Sequence, residues 1–437
     1  MRLCYANNPV RSDLTFPILL AALLVPIAAG AQDNSHTNPH AGMTEMSPSS
    51  MFLMNLASGT ALNPVSWPMP MIMRHYGRWN LGFMGTAFLS DLQQSGPRGG
   101  DKFYSTNWFM ASAEHRVGSR DAFQAELMVS LEPATVTDRR YPLLFQTGET
   151  AYGVPLVDAQ HPHNLIMELG VHYVHPVTER AILDLYIAPV GDPALGPVAY
   201  PHRASAAELP QAPISHHWQD STHIADDVVT LGVRYSKFKL EASGFHGTEP
   251  GENRWILQSG VINSWSTRLW FLPSINWAAQ VSVGRIARPE VLEPGDQVRA
   301  TASLAYSRPM RGSSWSSSLI WGRNHDTATL RNLNSYLAES VFPVTRRNLL
   351  TARAELVDKD ELFANSPDLE FQIDRRYGST FRIGAYTCGY TREFGTWFHL
   401  GTAVGANFTA YSLPASLKPQ YGAHPSGGNV FVRFRLR

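Results

Sequence analysis

Residues 79–437 read as an all-β protein: a transmembrane antiparallel β-barrel of about sixteen strands, with long extracellular loops and short periplasmic turns. Three observations predict it. Period-two alternation of apolar and polar residues recurs in segments of about ten residues, the length a tilted strand needs to cross a bilayer. The connections between these segments alternate strictly between short and long. After residue 31 no apolar run approaches the roughly 18 residues of a spanning helix, although aromatic residues make up 11% of the chain.

The N-terminus carries Arg2 and Arg11, an apolar run from Leu14 to Ala29, and a small-residue exit at Ala29-Gly30-Ala31. That order of basic, apolar and small residues predicts a cleaved secretory signal peptide over residues 1–31 and export from the cytoplasm. Cys4 leaves with it, and Cys388 alone cannot form an internal disulfide. The formal net charge is +0, so composition indicates no nucleic-acid partner.

Residues 32–78 do not alternate and form a Met/His-rich extended segment. Met69, Met71 and Met73 fall on one side of an extended backbone, with His75 next in the series. Thioether sulfur and imidazole suit copper, so these four are candidate metal ligands. The competing expectation is that the methionines fill gaps where the segment seals the periplasmic mouth of the barrel.

The strands are expected to start near 79, 102, 121, 164, 180, 227, 237, 262, 275, 297, 313, 332, 346, 380, 395 and 427. Short turns are read at VGSR, HPVTER, YSK, LPS, RPMRGS, PVTR and TREFG. The long connections are 90–101, 133–163, 190–226, 247–261, 357–379 and 410–426, with 287–296 and 324–331 intermediate. Closure removes both sheet edges, which lipid cannot satisfy. In the last strand Val430, Val432, Phe434 and Leu436 oppose Arg433, Arg435 and Arg437, and the arginines must face the lumen or the interface. The segment resembles the final strand of bacterial outer-membrane proteins, departing from it in ending on Arg437. Arg299, Arg353, Glu355, Arg433 and Arg435 are the expected pore-lining residues of a water-filled lumen.

Half of the 16 histidines lie between residues 161 and 223. The second outer loop ends in DAQHPHN with His161 and His163; the third, 190–226, holds His202, His216, His217 and His223. These six are candidate ligands for copper or zinc, with Asp158, Asp220, Asp226 and Asp227 able to support them. A loop this long is a functional candidate, and by resemblance to sixteen-stranded general porins it is a candidate constriction. QDSTH (219–223) also offers a serine–histidine reading. Ser205, Ser215 and Ser221 are equally available to it, and no G-x-S-x-G elbow accompanies them.

The runs ASGTALNP (57–64), QQSGPRGGDKFYSTNWFM (93–110), SLEPATVTDRRYPLLFQTGET (130–150), QHPHN (160–164), GDPALGPVAYPHRAS (191–205), QDSTHI (219–224), EASGFHGTEP (241–250) and NSWSTRL (263–269) carry a resemblance. They resemble a family of proteobacterial and acidobacterial outer-membrane β-barrel proteins loosely associated with heavy-metal, chiefly copper, handling. The resemblance implies an outer-membrane location and carries over no catalytic residue.

The leading expectation is a porin-like channel passing small polar solutes or metal ions passively, with loop charges setting selectivity. Outer-membrane lipid is its surroundings and a homotrimer its candidate assembly. One alternative is a copper-binding or copper-resistance protein without conductance; another is a barrel lipid hydrolase.

Overall fold

The computed structural model describes residues 47–67, 69–290, 295–365 and 380–437. The expected signal peptide, and the part of the Met/His segment before residue 47, lie outside the described residues. A short helix, α1 (Pro48–Leu53), opens the described chain, capped by the Ser47 hydroxyl accepting from the Ser50 N–H. Extended chain was expected there; Ser47-Pro48 is an N-cap followed by proline at the first helical position, a helix start that fits its residues.

The strands follow in order: β1 (Ile72–Tyr76), β2 (Trp79–Gln94), β3 (Asp101–Val117), β4 (Asp121–Val129), β5 (Tyr141–Ala151), β6 (Val154–Gln160), β7 (Ile166–Pro176) and β8 (Ala181–Gly191). Next come β9 (Ala225–Tyr235), β10 (Phe238–His246), β11 (Ser264–Ser274), β12 (Trp277–Ile286), β13 (Gln297–Met310) and β14 (Ser313–Asp326). The last five are β15 (Asn332–Thr345), β16 (Asn348–Lys359), β17 (Phe381–Trp397), β18 (Leu400–Ser412) and β19 (Ser426–Leu436). Each strand of the series β2-β3-β4-β7-β8 and β9 to β19 pairs antiparallel with its neighbours, and β19 pairs back to β2. The result is a closed barrel of sixteen strands. β1 pairs with β2 from Ile72↔Phe83 to Tyr76↔Trp79, just beyond the point where β19 stops at Arg435↔Thr86. It therefore extends the column that β19 leaves short.

Alternation builds the two faces. On β9, Val229, Leu231, Val233 and Tyr235 are exposed on the outside; on β10, Lys239, Glu241 and Ser243 are buried on the inside. Aromatic pairs rim the short-turn end: Phe238 stacked on Phe271, Trp277 tilted against Tyr306, and Tyr306 edge-on to Trp315. Such a girdle marks a membrane–water interface.

Strands run further than expected at the short-turn end. TREFG belongs to β17, and the turn falls on Phe398-His399, both at positive φ (44° and 65°). Strands of this barrel reach past the bilayer, so a ten-residue window ends them early. The second outer loop holds a hairpin, β5–β6. Its register is irregular and apolar residues point both ways, which hides the period.

The lumen is filled, where a water-filled one was expected. Almost every residue of the third outer loop, 192–224, is buried. Loop residues Tyr200, Ala212, Ile214 and Trp218 form an apolar core with Leu143, Leu144 and Phe145 of the hairpin and Leu417 and Tyr421 beyond β18. At the other end Phe52, Leu53, Leu56, Ala61 and Leu62 pack against inward Ala122, Val174, Ile182, Trp270 and Ala278. The Thr60 carbonyl accepts from Lys239 Nζ (3.1 Å) and its hydroxyl from Arg268 (2.9 Å). Residues 48–66 thus stopper the short-turn mouth.

Candidate metal centre

The third loop is held by charges on the barrel wall. Arg203 donates to Glu339 (2.5 Å) and Asp220 (3.0 Å); Arg353 donates to the other Glu339 oxygen (2.9 Å). Glu355 accepts from both the N–H and the hydroxyl of Ser215 (2.9 and 2.7 Å). Arg433 pairs with Glu208, and Arg435 donates to the same carboxylate (3.0 Å). Arg299 reaches the His217 carbonyl (2.7 Å) and Ser221 Oγ (3.0 Å). So Arg299, Arg353, Glu355, Arg433 and Arg435 all face inward, and all five are spent on anchoring the loop.

Anchoring the loop brings six histidines from two loops into one buried group. Imidazole centroids lie 5.2 Å apart for His216–His217, 5.3 Å for His216–His223, 5.3 Å for His163–His223 and 5.6 Å for His161–His217. One nitrogen from each of His161, His216 and His217 falls within 4.8 Å of the other two. His202 packs edge-on against Trp108 at 4.4 Å.

The tautomers follow from the partners. His216 Nδ1 donates to Asp220 Oδ1 (2.7 Å), His223 Nδ1 to the Asp220 carbonyl (2.8 Å) and His161 Nδ1 to the Pro162 carbonyl (3.1 Å). Burial drives His216 down to about 4 against the upward pull of Asp220. Burial, then His163, drives His202 to about 3. Burial holds His161 and His223 well below the usual imidazole range, with neighbouring imidazoles adding to it. At neutral pH these rings are uncharged, so His161, His216 and His223 present Nε2 lone pairs. For Asp220, burial alone would raise the carboxyl; His216, Arg203 and His223 outweigh it and hold it below its usual range.

His161 Nε2 and His223 Nε2, and both ring nitrogens of His217, lack an aligned hydrogen-bond partner. His161 Nε2 stands 3.1 Å from Glu149 Oε1, a lone pair facing a carboxylate oxygen. His217 Nδ1 lies 3.6 Å from Glu249 and 3.8 Å from Glu290. Buried polar atoms are seldom left unsatisfied, and a cation among these nitrogens would satisfy several together. An imidazole whose other N–H is tied to a carboxylate or carbonyl is the usual arrangement of a metal ligand. Gly148 leaves the room: at φ +117°, a Cβ there would meet the His217 ring at 2.6 Å.

Asp220 is the supporting residue anticipated in the QDSTH stretch. Asp158 instead serves Arg98 (2.6 Å) and the Phe145 N–H (2.7 Å), and Asp227 accepts from Ser259 and the Gly260 N–H. The serines of the hydrolase reading are committed elsewhere. Ser221 donates to Glu249, Ser215 to Glu355, and Ser205 donates to Glu339 while accepting from Ser318, none of them an imidazole.

The N-terminal ligand series separates. Met69 and Met71 pack inside, against buried Met84, Met110, Met128 and Met167. Met73 is half-buried, and His75 is exposed near the β1–β2 turn, its Nδ1 against Asn80 Oδ1 at 2.7 Å. Met110, Met128 and Met167 drew no notice in the sequence. Their inward positions on neighbouring strands were a signal, hidden because each stands alone in its own segment.

No family model matches the chain, and no curated protein sequence resembles it. Among solved structures it is similar to an anion-selective porin from Comamonas acidovorans, with TM-score 0.50 and 10% identity, covering 82% of this chain and 100% of that one. Two others are OmpF of Salmonella typhi in complex with daunomycin (TM-score 0.49, 8% identity, 83% and 100% covered) and a loop-L8 deletion mutant of OmpT, an outer-membrane protein of Vibrio cholerae (0.49, 9%, 82% and 99%). The likeness to the Comamonas protein is one of fold. With the closed sixteen-stranded barrel, the apolar exterior and the aromatic rim, it makes the architecture that of a porin and the protein an outer-membrane β-barrel.

Proposed function

We propose that this barrel is a passive outer-membrane conduit for transition-metal ions, in which the histidine group of the lumen holds the ion on its way. One observation carries the reading. Six imidazoles from two loops meet in a buried lumen, and His161 and His223 each have Nδ1 tied to a backbone carbonyl and Nε2 without an aligned partner. General passage of small polar solutes fits less well, because the third loop and residues 48–66 occupy the space a solute would need. A single ion needs only to step between nitrogens of neighbouring rings. Imidazole with carboxylate nearby favours zinc or copper, and Glu249 and Glu290 beside His217 supply negative charge at the loop end.

The alternative, a copper-binding or copper-resistance protein without conductance, shares this site and differs in whether the ion leaves on the far side. A hydrolase has no support in the partners of the three serines. A homotrimer is proposed for the assembly, tested by mass measurement in detergent.

The test uses proteoliposomes loaded with a zinc-sensitive dye. Wild-type protein is expected to admit zinc, and a His216→Gln/His217→Gln variant of unchanged heat-dependent gel mobility is expected to lose that flux. Stoichiometric zinc binding with no flux would replace the conduit by the non-conducting binder. Neither binding nor flux would sink both.

A further inference from the structure

Methionines are concentrated on one side of the lumen, and the strand register puts them there. Met84 on β2 pairs directly with Met110 on β3, and Met110 with Met128 on β4. The next pair in the row is Met128↔Glu168 on β7, and between it and Val129↔Ile166 the register shifts. The extra residue at that bulge is Met167. Bulges re-aim side chains, and here Met167 and Glu168 are both buried. Four thioethers from four consecutive strands of the barrel thus form one buried row. Met69 and Met71 of the N-terminal segment and Trp108 pack against it.

The row is not simply a place where the lumen needs filling. The same strands present Glu114, Gln124 and Glu126 to the lumen nearby, so polar side chains are tolerated at this depth. Among the described residues, the apolar cores at the two mouths are built from Leu, Ile, Val, Ala, Phe, Tyr and Trp, with no methionine. Among the described residues the fully buried methionines all gather here, next to the imidazoles. A cavity of about 50 Å³ joins the two groups: Met69, Met84 and Trp108 line it together with His163 and His202. His202 is buried, its Nε2 has no partner, and its ring meets Trp108 edge-on at 4.4 Å. The cavity offers the Met69 and Met84 thioethers, one free imidazole nitrogen and an indole ring, with Met110, Met128 and Met167 in the same buried cluster as Met84.

We propose that this methionine row with His202 is a second metal site, selective for a monovalent soft cation, Cu(I) or Ag(I), and distinct from the cluster of His161, His216 and His217. Neutral thioethers bind soft ions and are poor ligands for zinc. The indole face favours a cation of low charge that is already stripped of water. No electron transfer is involved: the ion enters and leaves in one oxidation state. Taken with the proposed conduit, on which only the direction of movement rests, the site would carry a soft ion from the imidazoles toward Met71, Met73 and the short-turn mouth.

The probe is Ag(I), which is redox-inert, titrated into the full-length folded protein in a chloride-free detergent buffer. Met110→Leu/Met128→Leu keeps volume and apolarity. It is expected to weaken Ag(I) binding by at least about the tenfold that losing an outer-shell partner costs a metal site, with zinc binding unchanged. Silver-edge X-ray absorption on wild type is expected to show sulfur neighbours whose number falls in the variant. His216→Gln/His217→Gln is expected to do the reverse, losing zinc and keeping Ag(I). Wild-type-like Ag(I) affinity in the methionine variant, or a silver shell without sulfur, overturns the site. No zinc flux through the wild-type protein, with Ag(I) binding intact, would overturn the conduit and leave this site standing. A methionine variant with altered heat-dependent gel mobility is replaced by Met84→Leu with Met167→Leu, read the same way.

Discussion

Asp220 concentrates the chemistry of the lumen in one side chain and one carbonyl. Its Oδ1 fixes His216, its carbonyl fixes His223, and its Oδ2 accepts from Arg203 and from the Tyr200 N–H. Asp220→Asn keeps the shape and removes the acceptor that sets the His216 tautomer. Zinc affinity is expected to fall about 10–100-fold, measured by isothermal titration on the folded protein; an unchanged affinity would show that His216 is not oriented through Asp220. Gly148→Ala should act on the same site from the other side, because its methyl collides with the His217 ring. The histidines were legible as candidates because eight of them crowd into one stretch of sequence. Their convergence was not, since His161 and His217 belong to different loops and meet only through the fold. Nor could the sequence tell Ser221 from a nucleophile; its hydroxyl is taken by Glu249 and Arg299.

At the scale of elements, the third loop is a folded insert held by buried charge pairs. Glu339 is bound by both Arg203 and Arg353. Glu339→Gln leaves two buried guanidinium groups short of one negative charge, a loss on the order of 3–5 kcal/mol for breaking a buried pair. The expected readout is faster proteolysis within 192–224 and a larger single-channel conductance; unchanged protection would mean the loop is held chiefly by its apolar core. The loop should also respond to acid. His216 sits near 4 and His202 near 3 in the folded protein, against about 6.5 in an unfolded chain. A depressed folded value means the contribution is fully present above about pH 6.5 and is lost as pH falls toward 4. Trp218 fluorescence should therefore report loosening of the loop between pH 6.5 and 4, with a shallower fall in His216→Gln. The strands themselves were readable: alternation located all sixteen, from β2 to β19. It misplaced the β17–β18 turn because TREFG carries a glycine and charges that look like a turn. It passed over β5–β6 because that hairpin buries both of its faces in loop contacts.

The whole molecule is a porin-type barrel whose lumen holds an apolar stopper at each end and a polar, histidine-rich middle. The arrangement explains why inward arginines that would line an open pore are all paired. It also explains the short helix and ASGTALNP near the N-terminus, whose side chains seal the short-turn mouth. Closure of the barrel followed from the sequence because lipid forbids free strand edges, a constraint every segment obeys. Filling of the lumen did not, since a loop's length says nothing about which way it folds. Removing residues 48–66 should leave the barrel closed, so that gel mobility still depends on heating, and should raise conductance in planar bilayers. Wild-type protein should show conductance well below that of the deletion; equal conductance would contradict the stopper.

In the proposed conduit the imidazoles of the two outer loops together hold a metal ion inside the barrel. X-ray absorption at the zinc edge, on folded full-length protein dialysed after zinc loading, tests it most directly. Retained zinc is expected, with a nitrogen and oxygen shell near 2.0–2.1 Å and the multiple-scattering pattern of several imidazoles, lost in His216→Gln/His217→Gln. Zinc removed by dialysis, or a shell free of imidazole, would contradict it.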